Sequence, residues 1–252
     1  MSFDAHPRSS LIVALDFDSL SSAVKFAEKI ADLVGMFKIG KQLFTAAGPD
    51  VVRQVTALGP GVFLDLKYHD IPNTVAGAVL SASAINGVQL LNIHALGGSA
   101  MMEAAVQSVN AVTAMGEDRP RLLAVTILTS LDQKAMREVG IAGPPAARVL
   151  KLAKLAKKAG VDGVVASAQE AKAIRKACGP EFLIVTPGVR PVEDSDSGKK
   201  GSTKKHDQSR TATPAEAIKA GADFIVVGRP ILAATDPRAA AQAIVDEIAA
   251  AK

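Results

Sequence analysis

The chain has no tryptophan, one tyrosine and one cysteine among its 252 residues, and aromatic side chains make up only 4% of it. With so few rings, the core has to be assembled from Val, Ile, Leu and Ala, a mix that suits parallel strands covered by helices on both faces. The lone cysteine, Cys178, excludes an internal disulfide and points to a reducing, cytoplasmic compartment. No apolar run approaches the roughly 20 residues needed to cross a bilayer, and Met1 to Ser10 holds no apolar segment that could act as a secretory signal. A soluble protein without a membrane partner is expected.

Other absences narrow the chemistry. No Gly-x-Gly-x-x-Gly turn follows the first apolar run, which removes the main signal of a dinucleotide-binding open sheet. Neither His69 nor His94 has a second histidine or carboxylate at a recognisable metal spacing, so no metal is expected and both read as structural hydrogen-bonding groups. Cys178, just before Gly179-Pro180, reads as an inert, partly buried thiol. The formal charge of +4 could suit a nucleic acid, but the lysines gather in two places, Lys151, Lys154, Lys157 and Lys158 on one helical pattern and Lys199, Lys200, Lys204 and Lys205 in one loop. A solvated helix face plus a basic loop accounts for them without a nucleic-acid partner, and a site for a small anion also favours a positive balance.

What is present is a regular alternation of short apolar runs and longer amphipathic stretches. The strand candidates are Leu11–Asp16, Met36–Ile39, Val62–Leu66, Val88–Ile93, Leu122–Ile127, Gly163–Ala166, Phe182–Val185 and Phe224–Val227. Between them lie helical patterns such as Leu20–Val34 and Ala147–Ala159, the latter with Leu152, Leu155, Ala156 and Ala159 at helical spacing. Gly35, Gly87, Gly160 and Gly221 each precede a strand, where a helix C-cap is expected. Eight strands with intervening helices predict a single-domain α/β fold, a closed (β/α)8 barrel. One segment breaks the pattern: Pro191 to Ser209 holds a single aliphatic residue, Val192, and reads either as a lid over a site or as a surface insertion.

In such a barrel, reactive groups stand at the C-terminal ends of the strands. Polar residues interrupting the apolar runs there are Asp16, Lys38, the run Asp65-Leu66-Lys67-Tyr68-His69-Asp70, Thr129 and Ser130, Arg190 and Arg229. Residues i and i+2 of a strand share a face, so Asp65 and Lys67 should both address the barrel mouth, with Tyr68 turned toward the helices. Asp70, one turn later, can swing back toward the same space. Fixed charges in a dry site are what a reaction that develops charge requires, although a purely structural ion network would show the same pattern. Gly228-Arg229-Pro230 follows the last strand, where barrels often hold phosphate through backbone N–H groups and a forked guanidinium.

The run Asp65-Leu66-Lys67-Tyr68-His69-Asp70-Ile71-Pro72-Asn73-Thr74 resembles the signature of the orotidine 5'-monophosphate decarboxylases. The resemblance extends, in family order, through Ala14-Leu15-Asp16, Phe37-Lys38-Ile39-Gly40, Asn92-Ile93-His94-Ala95, Leu128-Thr129-Ser130, Thr186-Pro187-Gly188-Val189-Arg190, Asp207-Gln208 and Val227-Gly228-Arg229-Pro230. It implies cofactor-free loss of CO2 from orotidine 5'-monophosphate in a homodimer. Lys67 would then protonate C6, Asp65 would order Lys67, and Asp70 would come from the partner subunit. Asp16 and Lys38 would bind the ribose, and Thr129 and Ser130 would approach the pyrimidine. Arg190, Gly228 and Arg229 would hold the phosphate, with Gln208 reaching over from the lid; Ile71, Thr74 and Pro187 complete the implied substrate contacts. The segment between Arg190 and Asp207 is longer and richer in lysine than the family pattern, and His206 stands where a glycine usually precedes Asp-Gln.

Three other functions share parts of this pattern. A Mg2+-dependent barrel decarboxylase of keto sugar phosphates shares Asp-x-Lys-x-x-Asp but does not account for Ile71-Pro72-Asn73-Thr74 or for the Asp-Gln pair. An aldolase could use Lys67 to form a Schiff base. A non-catalytic phosphate binder has no use for the clustered charges at Asp65, Lys67 and Asp70.

Overall fold

The computed structural model describes residues 6–114, 119–191 and 211–252. Among these residues there are eight strands, β1 (Leu11–Ala14), β2 (Met36–Gly40), β3 (Gly61–Tyr68), β4 (Val88–His94), β5 (Arg121–Val125), β6 (Gly163–Val165), β7 (Leu183–Pro187) and β8 (Phe224–Val227). Each pairs in parallel with the next, and β8 returns to β1 through Ile12↔Val226, so the sheet closes as the expected (β/α)8 barrel. The connecting helices are α1 (Leu20–Glu28), α2 (Lys41–Ala47), α3 (Asp50–Thr56), α4 (Pro72–Ser83), α5 (Gly98–Ala114), α6 (Gln133–Glu138), α7 (Pro145–Lys158), α8 (Ala168–Cys178), α9 (Pro214–Lys219), α10 (Arg229–Leu232) and α11 (Pro237–Ala251).

Strand periodicity divides the core into two layers. Leu11, Val13 and Leu15 point outward and pack with the helices, whereas Ile12 and Ala14 point inward. The inward set also contains Met36, Phe63, Leu90, Leu123, Val185 and Phe224, which together fill the barrel axis. The axis is therefore a packed core and not a channel. Registers Ala14↔Lys38 and Lys38↔Phe63 set Lys38 level with the top of this plug, and Gly40↔Asp65 sets Asp65 one step higher. The polar residues at the strand ends thus stand directly on an apolar floor.

Local chemistry explains most element ends. Thr213 and Glu216 form a reciprocal capping box at the start of α9. After α7, Gly160 adopts φ 84°, and the N–H of Val161 donates to the Ala156 carbonyl, satisfying groups that the helix end would orphan. Gly35 corrects the sequence expectation: its φ is not positive, and α1 has already ended at Glu28, with a 3-10 turn over Ala31–Leu33. Ile30 leaves helical geometry at φ −131° with its side chain fully buried, and Gly35 is needed because a Cβ there would collide with the Ser9 backbone. β1 stops at Ala14 rather than Asp16, although the N–H of Leu15 still donates to the Lys38 carbonyl at 2.9 Å.

Among the described residues, the N-terminal face of the barrel is tied by two half-buried ionic hubs. Asp162 accepts from Arg119 and from the N–H of Leu122. Arg175 reaches from α8 to Asp223 at 2.7 Å and to the carbonyls of Gly179, Pro180, Phe182 and Gly221.

Candidate active site

A cavity of about 790 Å³ opens at the C-terminal ends of the strands. Its polar wall is a row of alternating charges. Lys38 Nζ lies 3.2 Å from Asp16 Oδ1 and 3.5 Å from Asp65 Oδ2, and Lys67 Nζ lies 2.6 Å from Asp65 Oδ1. Asp65 is the buried member, 8% exposed; it accepts a hydrogen bond from Lys67 on one side and is ion-paired with Lys38 on the other. Such a carboxylate offers up to about four lone-pair directions, so it can order both lysines at once. Asp65 is the only hydrogen-bond partner of Lys67 Nζ among the described residues, which leaves two N–H donors of that ammonium for a ligand.

Lys67 does not reach this position by simple strand alternation. It is the one non-glycine among the described residues with a positive φ, 51°. The pairing between β3 and β4 slips there, from Leu64↔Leu91 to Tyr68↔Ile93, so four steps of β3 face two of β4. Asp65, Leu66 and Lys67 form the bulge. Bulges of this kind re-aim side chains beside active sites, and a left-handed lysine persists only where its surroundings hold it. Tyr68, after the bulge, packs against the helix-side core as expected.

The remaining predicted residues divide clearly. Thr129 and Ser130 line the cavity from the loop after β5, Pro187 and Arg190 from the end of β7, and Gly228 and Arg229 from the end of β8. Apolar patches from Ile127, Val165, Val189 and Val226 complete the wall. Asp70, Ile71 and Thr74 are not part of it: all three are exposed, Ile71 to 66%, and Asp70 Oδ1 accepts the Ile71 N–H at 2.6 Å. The expectation that Asp70 swings back into its own barrel mouth is therefore not met within one chain, because this local turn holds its carboxylate. The expected lid, 191–209, lies outside the described residues apart from Pro191, and so do His206 and Gln208. Its flanks are held together, since Val189 pairs with Ala212 and the Arg190 N–H donates to the Ala212 carbonyl at 3.0 Å.

Two further findings depart from the sequence reading. His69 and His94 stack, with ring centroids 5.2 Å apart and planes at 25°, and His94 Nδ1 is buried without a hydrogen-bond partner. Among the described residues the His94 ring makes a ring contact and no hydrogen bond. Burial, then the nearby charges of His69, Lys67 and Lys41, lowers its pKa to about 4, so it is neutral at pH 7. Asn92, which stood only inside a motif in the sequence reading, is fully buried behind Asp65 and bonds to it. The signal was available: Asn92 shares the inward parity of Leu90 and stands between the apolar Leu91 and Ile93, where an amide needs partners. Cys178 is buried, and burial pushes its thiol up, in keeping with an inert group.

Comparison with known proteins adds a family context to this geometry. The family model for "Orotidine 5'-phosphate decarboxylase / HUMPS family" matches residues 9–244. The chain is 56% identical over 243 residues to the orotidine 5'-phosphate decarboxylase of Trichlorobacter lovleyi, covering 96% of each protein. It is 55% identical to the enzyme of the same name from Geotalea daltonii, covering 96% of this chain and 97% of that one. The crystal structure of orotidine 5'-phosphate decarboxylase from Lactobacillus acidophilus superposes with a TM-score of 0.80 at 41% identity, over 94% of this chain and 98% of the other.

Proposed function

The chain belongs to the orotidine 5'-phosphate decarboxylase / HUMPS family, and from that premise we propose how its reaction, orotidine 5'-monophosphate to UMP and CO2, is carried out by the row Asp16, Lys38, Asp65 and Lys67. Breaking the bond between C6 and the carboxylate leaves an electron pair in the ring plane, where the pyrimidine π system cannot delocalise it. The Lys67 ammonium stabilises that pair and then donates a proton to C6, an interaction stronger in the transition state than in the ground state. No cofactor has to accept the electrons. The observation that carries this reading is the Lys67 ammonium on the cavity wall, held at 2.6 Å by a buried carboxylate.

The other residues bind and orient. Asp16 and Lys38 take the ribose hydroxyls, and Thr129, Ser130 and Pro187 bound the pyrimidine. Arg190, Arg229 and the backbone at Gly228 take the phosphate dianion, whose binding energy is spent on orientation and closure rather than on the bond that breaks. Gln208 is assigned to the phosphate side by the Asp207-Gln208 motif alone. Asp70, Ile71 and Thr74 belong to the neighbouring site of a homodimer. This is supported by their exposure and by the apolar Ile71 side chain, which a second copy would cover. No described helix is long and apolar enough to cross a membrane, and a cytoplasmic setting is supported by the single cysteine.

The test is direct. Purified protein mixed with orotidine 5'-monophosphate in EDTA should give the ultraviolet change of decarboxylation, and Lys67→Ala should abolish it. Activity that EDTA removes would favour the Mg2+-dependent decarboxylase instead. Full activity in Lys67→Ala would end the assignment of the proton donor.

A further inference from the structure

Asn92 makes two hydrogen bonds that converge on the proposed proton donor. Its Oδ1 accepts the backbone N–H of Lys67 at 2.7 Å, and its Nδ2 donates to Asp65 Oδ1 at 2.6 Å. That is the same carboxylate oxygen on which Lys67 Nζ rests. The amide side chain is fully buried, and β4 points it inward from beneath the bulge. Where β3 slips against β4, Asn92 thus supplies an acceptor for the N–H of Lys67. A buried N–H without such a partner is destabilising, and a residue at φ 51° adds strain that its surroundings must offset.

We propose that Asn92 is a positioning residue for decarboxylation, one amide fixing both the left-handed backbone of Lys67 and the carboxylate oxygen that orders its ammonium. The inference rests on the reading of Lys67 as proton donor. It goes beyond that reading by placing the control of the donor's geometry on a different strand. Asn92 is not on the cavity wall, so its loss should act on the chemical step and leave substrate binding nearly intact. Misplacement of a reacting group by an ångström can cost about a hundredfold in rate.

The polarity of the amide matters as well as its shape. Nδ2 is the only donor Asn92 gives Asp65. A carboxylate in its place could still accept from Lys67, but it would face Asp65 with an acceptor. Two adjacent carboxylates resist both being ionised. When the introduced group holds a proton it can donate to Asp65 and reproduce the native pattern; when it loses that proton it cannot.

The experiment compares the full-length chain with Asn92→Ala and Asn92→Asp, measuring kcat, KM for orotidine 5'-monophosphate and UMP affinity from pH 5 to 9. Asn92→Ala is expected to lower kcat by about ten- to a thousandfold, with KM and UMP affinity within about threefold. Asn92→Asp is expected to recover kcat toward acid pH and lose it toward alkaline pH, a limb the parent lacks. A merely structural amide would not produce that pH limb. The inference is overturned if Asn92→Ala keeps kcat within about threefold of the parent, or if Asn92→Asp follows the parent's pH profile. Should Asn92→Ala fail to fold, the near-isosteric Asn92→Asp decides alone. Lys67→Ala run alongside separates the two claims: an active Lys67→Ala removes the underlying reading, whereas an inactive Lys67→Ala with unaffected Asn92 variants removes only this one.

Discussion

Asp70 follows Lys67 by three residues, yet its carboxylate accepts the N–H of Ile71 at 2.6 Å and stands off the cavity wall to which Lys67 belongs. A single chain therefore presents Asp65 and Lys67 inward and Asp70 outward. In the proposed homodimer this division would place part of each site on the other subunit. Mixing inactive Lys67→Ala and Asp70→Ala proteins under conditions that exchange subunits should then restore activity. Half of the dimers would be hybrids with one intact site of two, giving about a quarter of parental activity. No recovery after verified exchange would mean that Asp70 serves its own chain.

Arg229 touches no reacting atom in the proposed mechanism, yet its replacement by alanine should be severe. Two charge-assisted bonds to a phosphate, at about 1.5–3 kcal/mol each, put the fall in kcat/KM at roughly 10²–10⁴-fold. Steady-state kinetics of Arg229→Ala measures it. A normal kcat/KM would remove Arg229 from the phosphate site.

Legibility in the sequence was uneven, for physical reasons. Polar residues that end apolar runs mark Asp16, Lys38 and Asp65, and β2 and β3 are regular up to Lys38 and Asp65, while Asp16 lies two residues past the end of β1. Lys67 was assigned to the right wall by an argument that does not hold locally: its side chain arrives through a bulge, and the compensation for that bulge sits 25 residues away on β4. Asn92 carries no charge and lies between Leu91 and Ile93, so in the sequence a neutral amide there looks like part of the core. The helical pattern of Leu20–Val34 was real as periodicity but not as one helix, since a 3-10 turn keeps apolar residues facing inward too.

The depressed pKa of His94 makes a prediction about stability. In the unfolded chain its imidazole takes a proton near pH 6.5; in the folded protein it does so only near pH 4. Between those values the unfolded state binds more protons, so stability contributed by the neutral ring is complete above pH 6.5 and is lost as pH falls toward 4. His94→Phe keeps an aromatic ring for His69 to stack on and removes the titration. Its melting temperature should fall less than the parent's between pH 6.5 and 4.5. Parallel curves for the two proteins would contradict the assignment.

The two ends of the barrel should respond differently to mutation. Arg175→Ala removes the ties to Asp223 and to four carbonyls on the N-terminal face. We expect a loss of roughly 2–3 kcal/mol, or about 5–10 °C in Tm, with kcat/KM per folded molecule unchanged. Gly163→Ala should act in the same sense, by about 1–3 kcal/mol, because a Cβ there would collide with the carbonyl and side chain of Leu183. Calorimetry paired with kinetics checks both; a selective loss of kcat in either would break the separation.

The apolar plug of Ile12, Met36, Phe63, Leu90 and Phe224 has a consequence for traffic. Among the described residues this plug closes the axis below the cavity, so in the proposed reaction the gas would have to leave by the mouth, past the nucleotide that produced it. Any closure that keeps water from such a mouth would also delay both products, and the timing of reopening would become part of the turnover.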